Sequence, residues 1–347
     1  MNITFVLPKV SRYPVGGYKM TFEYANRLKE RGHDISIVFL NDRFMEKYKI
    51  PKIIRKRIAG IITGIEPRWF NLNHKINKVS SFFADGTYKA DVVIATAAQT
   101  VELVKNRFDC KKVYFIQGYE IWDVGKEKLY ETYSINMKKI VIADWLKEFV
   151  DKHSFQQAIV IKNPVDSKIY HEVIPHKKRK KHSIALLYNE MPEKGFNCAY
   201  KTIIEVKNIY PDLEVFMFGR KDYPGKLPDW IHYTMNASQN KTVEIYNKAN
   251  VFLCTSVEEG FGLTGLEAMA CGCVLISTGY RGVYEYAQDG VNAMISSVND
   301  VDQLVENISK VFQNDELCVS LIAEGKKTCR LFEWDNAIDL FEKTILE

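Results

Sequence analysis

The sequence predicts an α/β protein made of two doubly wound parallel-sheet domains, and three observations lead there. At 347 residues the chain exceeds what one hydrophobic core usually organises, so two domains of roughly 150–180 residues are expected. Short β-branched or aromatic runs alternate with stretches of helical periodicity. A polar, charged interruption then divides the series near its middle.

The elements follow in order. Asn2–Leu7 (NITFVL) is a buried strand, Gly16 and Gly17 turn the chain, residues 19–31 form a helix stopped by Gly32, and residues 34–40 form the next strand. This is a parallel βαβ unit. Strand-like runs at 91–95, 112–116 and 139–143, and a weaker one at 159–162, complete a first domain over residues 1–165. Asn163-Pro164 and the run His176-Lys-Lys-Arg-Lys-Lys-His182 read as a boundary and a solvated linker. Ser183–Tyr188, the helical Phe196–Ile209, 214–218, Val251–Cys254 and 274–277 then build a second domain over 166–330.

Composition narrows the function. Lys and Arg number 48 against 43 Asp and Glu, and this net charge of +5 is too small for a polyelectrolyte argument about nucleic acid. Seven cysteines without a CxxC pair read as buried, reduced thiols. The N-terminal MNITFVLPKV lacks the pattern of a secretory signal, and no apolar run approaches the ~18 residues of a spanning helix, so a cytosolic protein is expected. Residues 43–79 stand outside the alternation as an insertion. There Arg43, Lys47, Lys49, Lys52, Arg55, Lys56, Arg57, Arg68, Lys75 and Lys78 face only Glu46 and Glu66, with Ile50, Ile53, Ile54, Ile58, Ile61, Ile62, Ile65, Trp69 and Phe70 between them. Such a segment suits an anionic membrane surface or, alternatively, a surface helix packed on its own domain.

The most informative segment is SVEEGFGLTGLEAMACGCVLIST, residues 256–278. It follows a strand and opens a helix. Gly260 and Gly262 lie in the loop, Gly272 ends the helix, and Glu259 and Glu267 are spaced E-x7-E. A glycine-flexible loop at a helix N-terminus presents free N–H groups and a positive dipole end, which suits a diphosphate. Glu267, read as lying in the first turn, would accept two vicinal hydroxyls of a ribose, and Glu259 would reach another hydroxylated ring. The Gly pair at 16 and 17 does not form a GxGxxG fingerprint, which argues against a nicotinamide oxidoreductase.

EEGFGLTGLEAMACGCVLIST resembles the signature of the family 4 retaining glycosyltransferases, which have the GT-B fold of two Rossmann-like domains facing a central cleft. VGGYKMTFEYANRLKERGHDISIV is similar to that family's glycine loop and helix, and Ile161-Lys-Asn-Pro-Val-Asp166 to its interdomain turn. Glu285 and Asp289-Gly290 resemble its next segment, and Phe332-Glu-Trp-Asp335 the start of its last helix, which would cross back to the first domain over residues 331–347. The resemblance implies that Glu259 contacts the transferred sugar and Glu267 the ribose, while N–H groups at Phe261, Gly262, Leu263 and Thr264 serve the sugar and diphosphate. Lys194 and an arginine would neutralise the diphosphate, but Asn189 stands where the arginine is expected, so Arg220 becomes a substitute. Gly16 and Gly17 would approach the donor or acceptor. Gln117, Tyr119 and Glu120, in a stretch similar to the YFxQxYE of rhamnosyltransferase-like members, would line the acceptor side.

The expected reaction is retaining transfer from a nucleoside-diphosphate sugar to a glycan or lipid-linked acceptor, in cell-envelope polysaccharide or glycolipid synthesis. Lys194 and the loop dipole would stabilise the leaving group. No cofactor is expected, and no DxD-type metal motif is found, since Asp34, Asp42, Asp91 and Asp123 are scattered. Two other readings remain open. They are a GT-B-like sugar-nucleotide epimerase and a non-catalytic nucleotide-sugar-binding protein, the latter favoured by Asn189.

Overall fold

The alternating runs become two separate parallel sheets in the computed structural model, which describes residues 1–41, 50–81 and 90–347, the side chains of Trp122 and Asp123 excepted. The chain divides into one unit of Met1–Lys162 with Asp335–Glu347 and another of Asn163–Trp334.

The first unit holds β1 (Asn2–Leu7), α1 (Gly16–Glu30), β2 (Asp34–Phe39), α2 (Lys52–Ile65), β3 (Asn77–Ser80), β4 (Val92–Ala95) and α3 (Ala98–Arg107). It continues through β5 (Lys111–Ile116), α4 (Ile121–Val124), α5 (Lys126–Ser134), β6 (Lys138–Val141), α6 (Asp144–Asp151) and β7 (Ile159–Val160). The strand order β3-β2-β1-β4-β5-β6-β7 reverses direction between β1 and β4. Such a reversal opens a crevice at the carboxyl ends of the strands, where doubly wound sheets bind ligands. α1 buries Met20, Tyr24, Ala25 and Leu28 on one face, and Gly32 ends the turn at φ +89°, a left-handed conformation that Gly adopts without steric cost.

α12 (Trp334–Leu346) packs on this first sheet from the far end of the chain. Phe341 is fully buried, with ring centroids 4.1 Å from Tyr24 and 5.4 Å from Phe115, and Ile338 and Ile345 are buried beside it. Each such side chain contributes about 1.5–3 kcal/mol. Arg31 pairs with Asp339 and Glu342, and His33 Nε2 lies 2.6 Å from Glu342.

Residues 52–79 are not an insertion. α2 and β3 continue the alternation, and β3 pairs in parallel with β2 from Ser36↔Asn77 to Phe39↔Ser80. The four residues Asn-Lys-Val-Ser carry no apolar run, so periodicity could not reveal this edge strand. Asp42, Arg43, Glu46, Lys47 and Lys49 lie outside the described residues.

The second unit contains β8 (Ser183–Tyr188), α7 (Phe196–Ile209), β9 (Glu214–Gly219), β10 (Ile231–Met235), α8 (Gln239–Lys248) and β11 (Val251–Cys254). α9 (Leu263–Ala270), β12 (Val274–Thr278), β13 (Ala293–Ser296), α10 (Val301–Gln313) and α11 (Asp315–Cys329) complete it. The order β10-β9-β8-β11-β12-β13 reverses between β8 and β11. Val165 N–H donates to the Phe332 carbonyl at 2.8 Å, which ties the two ends of this unit together.

The basic run at 176–182 is not wholly solvated. The Arg179 side chain is fully buried and donates to the carbonyls of Ile174, Ala249 and Cys271, each at 2.7 Å, and of Gly272 at 3.2 Å. A guanidinium supplies five N–H donors in a fixed fork, so one side chain satisfies carbonyls left open at the ends of α8 and α9. Six cysteines are buried and free, while Cys110 is half-buried rather than buried.

Candidate functional site

The loops after β8 and β11 flank the second unit's reversal point; Gly195 presses them together, and Gly262, Gly265 and Gly282 press the β11 loop and the start of α9 against the loop after β12. Gly195 has φ +63°, and a Cβ there would stand 1.9 Å from the Thr255 carbonyl oxygen. Thr255 Oγ1 donates to the Gly195 carbonyl at 3.0 Å, and Val257 N–H to the Glu193 carbonyl at 2.8 Å. Gly262 has φ +89°, and its Cβ would stand 2.0 Å from the Tyr280 hydroxyl. A Cβ on Gly265 would meet the Tyr286 hydroxyl at 2.3 Å, and one on Gly282 the Glu259 carbonyl at 2.7 Å. Backbone is therefore packed where side chains would otherwise lie.

This zipping brings Lys194 and Glu259 together. Lys194 Nζ lies 3.2 Å from Glu259 Oε1, and Ser256 Oγ donates to the same oxygen at 2.6 Å. The two side chains keep 25% and 14% of their exposure, enough for a ligand to reach both. Below them runs a buried polar chain. Tyr286 OH donates to the Gly262 carbonyl at 2.8 Å, the Tyr280 and Tyr286 hydroxyls are 3.2 Å apart, and Thr278 Oγ1 donates to the Ser256 carbonyl. Burial, with the Glu259 charge second, pushes the Cys254 thiol up and keeps it neutral beneath the loop.

α9 begins at Leu263 on the left-handed Gly262, so its first N–H groups have no intrahelical acceptor. Phe261 is buried against Tyr286 and Phe332 at 5.3 and 5.9 Å, leaving only its backbone for a ligand, while Leu263 and Thr264 are half-buried. Glu267 does not lie in the first turn. It is the fifth residue of an eight-residue helix, because Gly262 delays the start to Leu263, and it is 6% exposed. Asn189 Oδ1 accepts from Met191 N–H at 3.0 Å and so shapes its own loop. Arg220 follows β9, beside β8, at the same sheet edge.

In the first unit, Gln117 Nε2 donates to the Gly17 carbonyl at 3.1 Å and approaches Thr21 Oγ1 at 3.3 Å. A Cβ on Gly17 would touch the Gln117 amide at 3.4 Å, whereas one on Gly16 would meet open space. Gln117 Oε1 is buried without a partner among the described residues. Tyr119 and Glu120 are engaged in the fold: Tyr119 OH lies 3.1 Å from Tyr130 OH, and Glu120 Oε2 accepts from Ala98 N–H at 2.7 Å, capping α3. Among the described residues, no three His, Cys, Asp or Glu side chains converge as a metal set. Asp34 pairs with Lys29 and Asp91 accepts from Asn2 N–H, whereas Asp42 and the Asp123 side chain lie outside the described residues.

Sequence reasoning missed Ser256, Tyr280 and Tyr286 as site residues, and Gly195 and Gly282 as contact points. Tyrosines and glycines carry no charge pattern or spacing, and their role appears only when separate loops meet.

Residues 173–328 match the family model of glycosyl transferases group 1, a span that includes both loops. An uncharacterized glycosyltransferase of Methanocaldococcus jannaschii is 24% identical over 253 residues, covering 68% of each chain. N-acetyl-alpha-D-glucosaminyl L-malate synthase of Bacillus anthracis is 23% identical over 91% of this chain and 76% of its own. These matches support a glycosyltransferase. The fold agrees: Anabaena HepE, solved in complex with UDP and glucose, superposes with a TM-score of 0.74 at 13% identity, covering 99% of both chains. The chain thus has the GT-B architecture of two Rossmann-like parallel-sheet domains.

Proposed function

We propose that this glycosyltransferase moves a sugar from a nucleoside-diphosphate sugar to a glycan or lipid-linked acceptor with retention of configuration, as in family 4. The observation that carries this reading is the Lys194–Glu259 pair, held at 3.2 Å beside the N-terminus of α9 at the reversal point of the second sheet. Lys194 and the N–H groups of 261–264 would take the diphosphate, Glu267 the ribose, and Glu259 the transferred sugar. Arg220 would supply a second positive charge in place of the missing arginine, because Asn189 is committed to its own loop. In the first unit, Gly16, Gly17 and Gln117 are the candidates for contact with a ligand, and Tyr119 and Glu120 for the acceptor side.

Chemistry in such a site is mainly positioning and electrostatic stabilisation of a departing diphosphate. The leaving phosphate oxygen takes the acceptor's proton as the glycosidic bond to the donor breaks and the new one forms on the same face. Lys194 and the helix dipole perform the neutralisation that a divalent metal supplies elsewhere, so transfer is metal-independent and persists in excess chelator. The resemblance of the Gln117 stretch favours a deoxysugar donor. Synthesis of a cell-envelope polysaccharide or glycolipid fits this chemistry, with the protein cytoplasmic and peripheral at the inner face of the plasma membrane.

The testing experiment is product analysis with a labelled sugar nucleotide. Transfer to an acceptor with the donor's anomeric configuration supports the proposal. Isomerised donor, or binding without turnover across acceptors, would replace it with the epimerase or non-catalytic reading.

A further inference from the structure

α2 is folded inside out. Its side toward the domain carries small residues: Ala59 and Thr63 are buried, and Thr63 Oγ1 accepts from the Asn41 side chain at 2.7 Å. Four of its six isoleucines point the other way, Ile53, Ile54, Ile61 and Ile65 being exposed by 74%, 47%, 63% and 47%, while Ile58 and Ile62 are half-buried. At 100° per residue, positions 53, 54, 57, 61 and 65 share one face of about 120°. An ordinary surface helix reverses this arrangement, placing isoleucine toward its own core.

Charge completes the pattern. The helix sequence KIIRKRIAGIITGI holds four cations and no acid. Lys52 and Arg57 are exposed at its N-terminal end, whereas Lys78 is turned to the helix's other end, where it donates to the carbonyls of Gly64 and Glu66 at 2.8 and 2.7 Å. The fourteen residues measure about 21 Å, well short of a bilayer's ~30 Å core. No helix among the described residues is long and apolar enough to cross a membrane. An exposed apolar face on a helix that itself carries cations and no acid fits a lipid interface, into which isoleucines insert while lysine and arginine meet anionic headgroups.

We propose that the Ile53/Ile54/Ile61/Ile65 face of α2 docks the protein on an anionic bilayer surface. Charge complementarity selects that occupant. Sitting on the same unit as Gln117, it would present this unit to a membrane-borne acceptor. The docking deepens the peripheral placement proposed above, but its test needs no sugar nucleotide, so the two can fail separately.

The test is co-sedimentation of the whole chain with phosphatidylcholine vesicles and with vesicles containing a quarter phosphatidylglycerol. Wild type is expected to sediment with the anionic vesicles and to weaken at high salt. Ile54→Ser with Ile61→Ser should lower the partition coefficient at least about tenfold. Lys52→Glu with Arg57→Glu should lower it more than about tenfold, since each cation near such a surface is worth roughly a fivefold factor. Circular dichroism and melting of both variants should match wild type, because the replaced side chains are exposed. Absence of wild-type binding, equal binding to both vesicle types, or unchanged binding of the isoleucine variant would overturn the proposal. So would a dimer in light scattering that the isoleucine changes dissociate, since the face would then be a self-association surface.

Discussion

Glu259 and Lys194 lie 65 positions apart in sequence and 3.2 Å apart in space, so each is expected to control a different part of one reaction. Glu259→Ala should depress turnover more than nucleotide affinity, as single-turnover kinetics alongside calorimetry would register. Equal loss of both would move Glu259 from the sugar to the nucleotide. Glu267→Ala should weaken nucleotide binding by roughly 1.5–3 kcal/mol, the range for hydrogen bonds to a charged group. Gly195→Ala should destabilise the second unit by about 2 kcal/mol or more in urea unfolding, because a methyl would meet the Thr255 carbonyl and φ is +63°. At this scale the sequence was uneven. The charged residues were legible through their spacing in a strand–loop–helix frame, but Tyr280 and Tyr286 were not, since only folding brings them beneath Gly262.

Single elements carry two further expectations. Tyr286 OH fixes the turn that starts α9, so Tyr286→Phe should cost about 1 kcal/mol of stability and slow transfer through a looser loop, without removing any group from the ligand. Burial works against ionisation of Glu342 on α12, and hydrogen bonds from His33 and Arg31, with the Arg31 charge, outweigh it and hold the carboxyl below its usual range. A depressed folded value means stability that is present above the unfolded pKa of about 4.3 and is lost as pH falls through the folded one. The stability difference between wild type and Glu342→Gln should therefore be full at pH 6 and shrink steadily below about pH 4. A difference that grew on acidification would contradict this pairing. Element boundaries were legible where apolar runs were continuous: β1, β8 and β11 fall where the sequence places them. Edge strands β3 and β10 escaped because their residues are half polar, and Arg179 escaped because a basic run gives no sign of which member folds inward.

For the whole molecule, alternation and length sufficed for two doubly wound sheets, because the inner parallel strands, covered by helices on both faces, are apolar along their length and so leave a readable trace. The proposed chemistry rests on one segment, residues 256–278, and on topology: both sheets reverse direction, and the second does so where Lys194 and Glu259 meet. Donor identity was not legible, since a sugar is chosen by loop side chains whose positions spacing does not determine.

The most direct measurement is thermal unfolding of wild type, Lys194→Ala and Glu267→Ala with UDP, dTDP, GDP, ADP and their sugars, each with and without chelator. A ligand at a hundred times its Kd adds about 2.7 kcal/mol to the folded state. A rise of several degrees in wild type with one nucleotide, unchanged by chelator and strongly reduced in both variants, is the predicted result. A rise with no nucleotide, or one that both variants retain in full, would contradict a diphosphate-sugar site at the β8–β11 reversal.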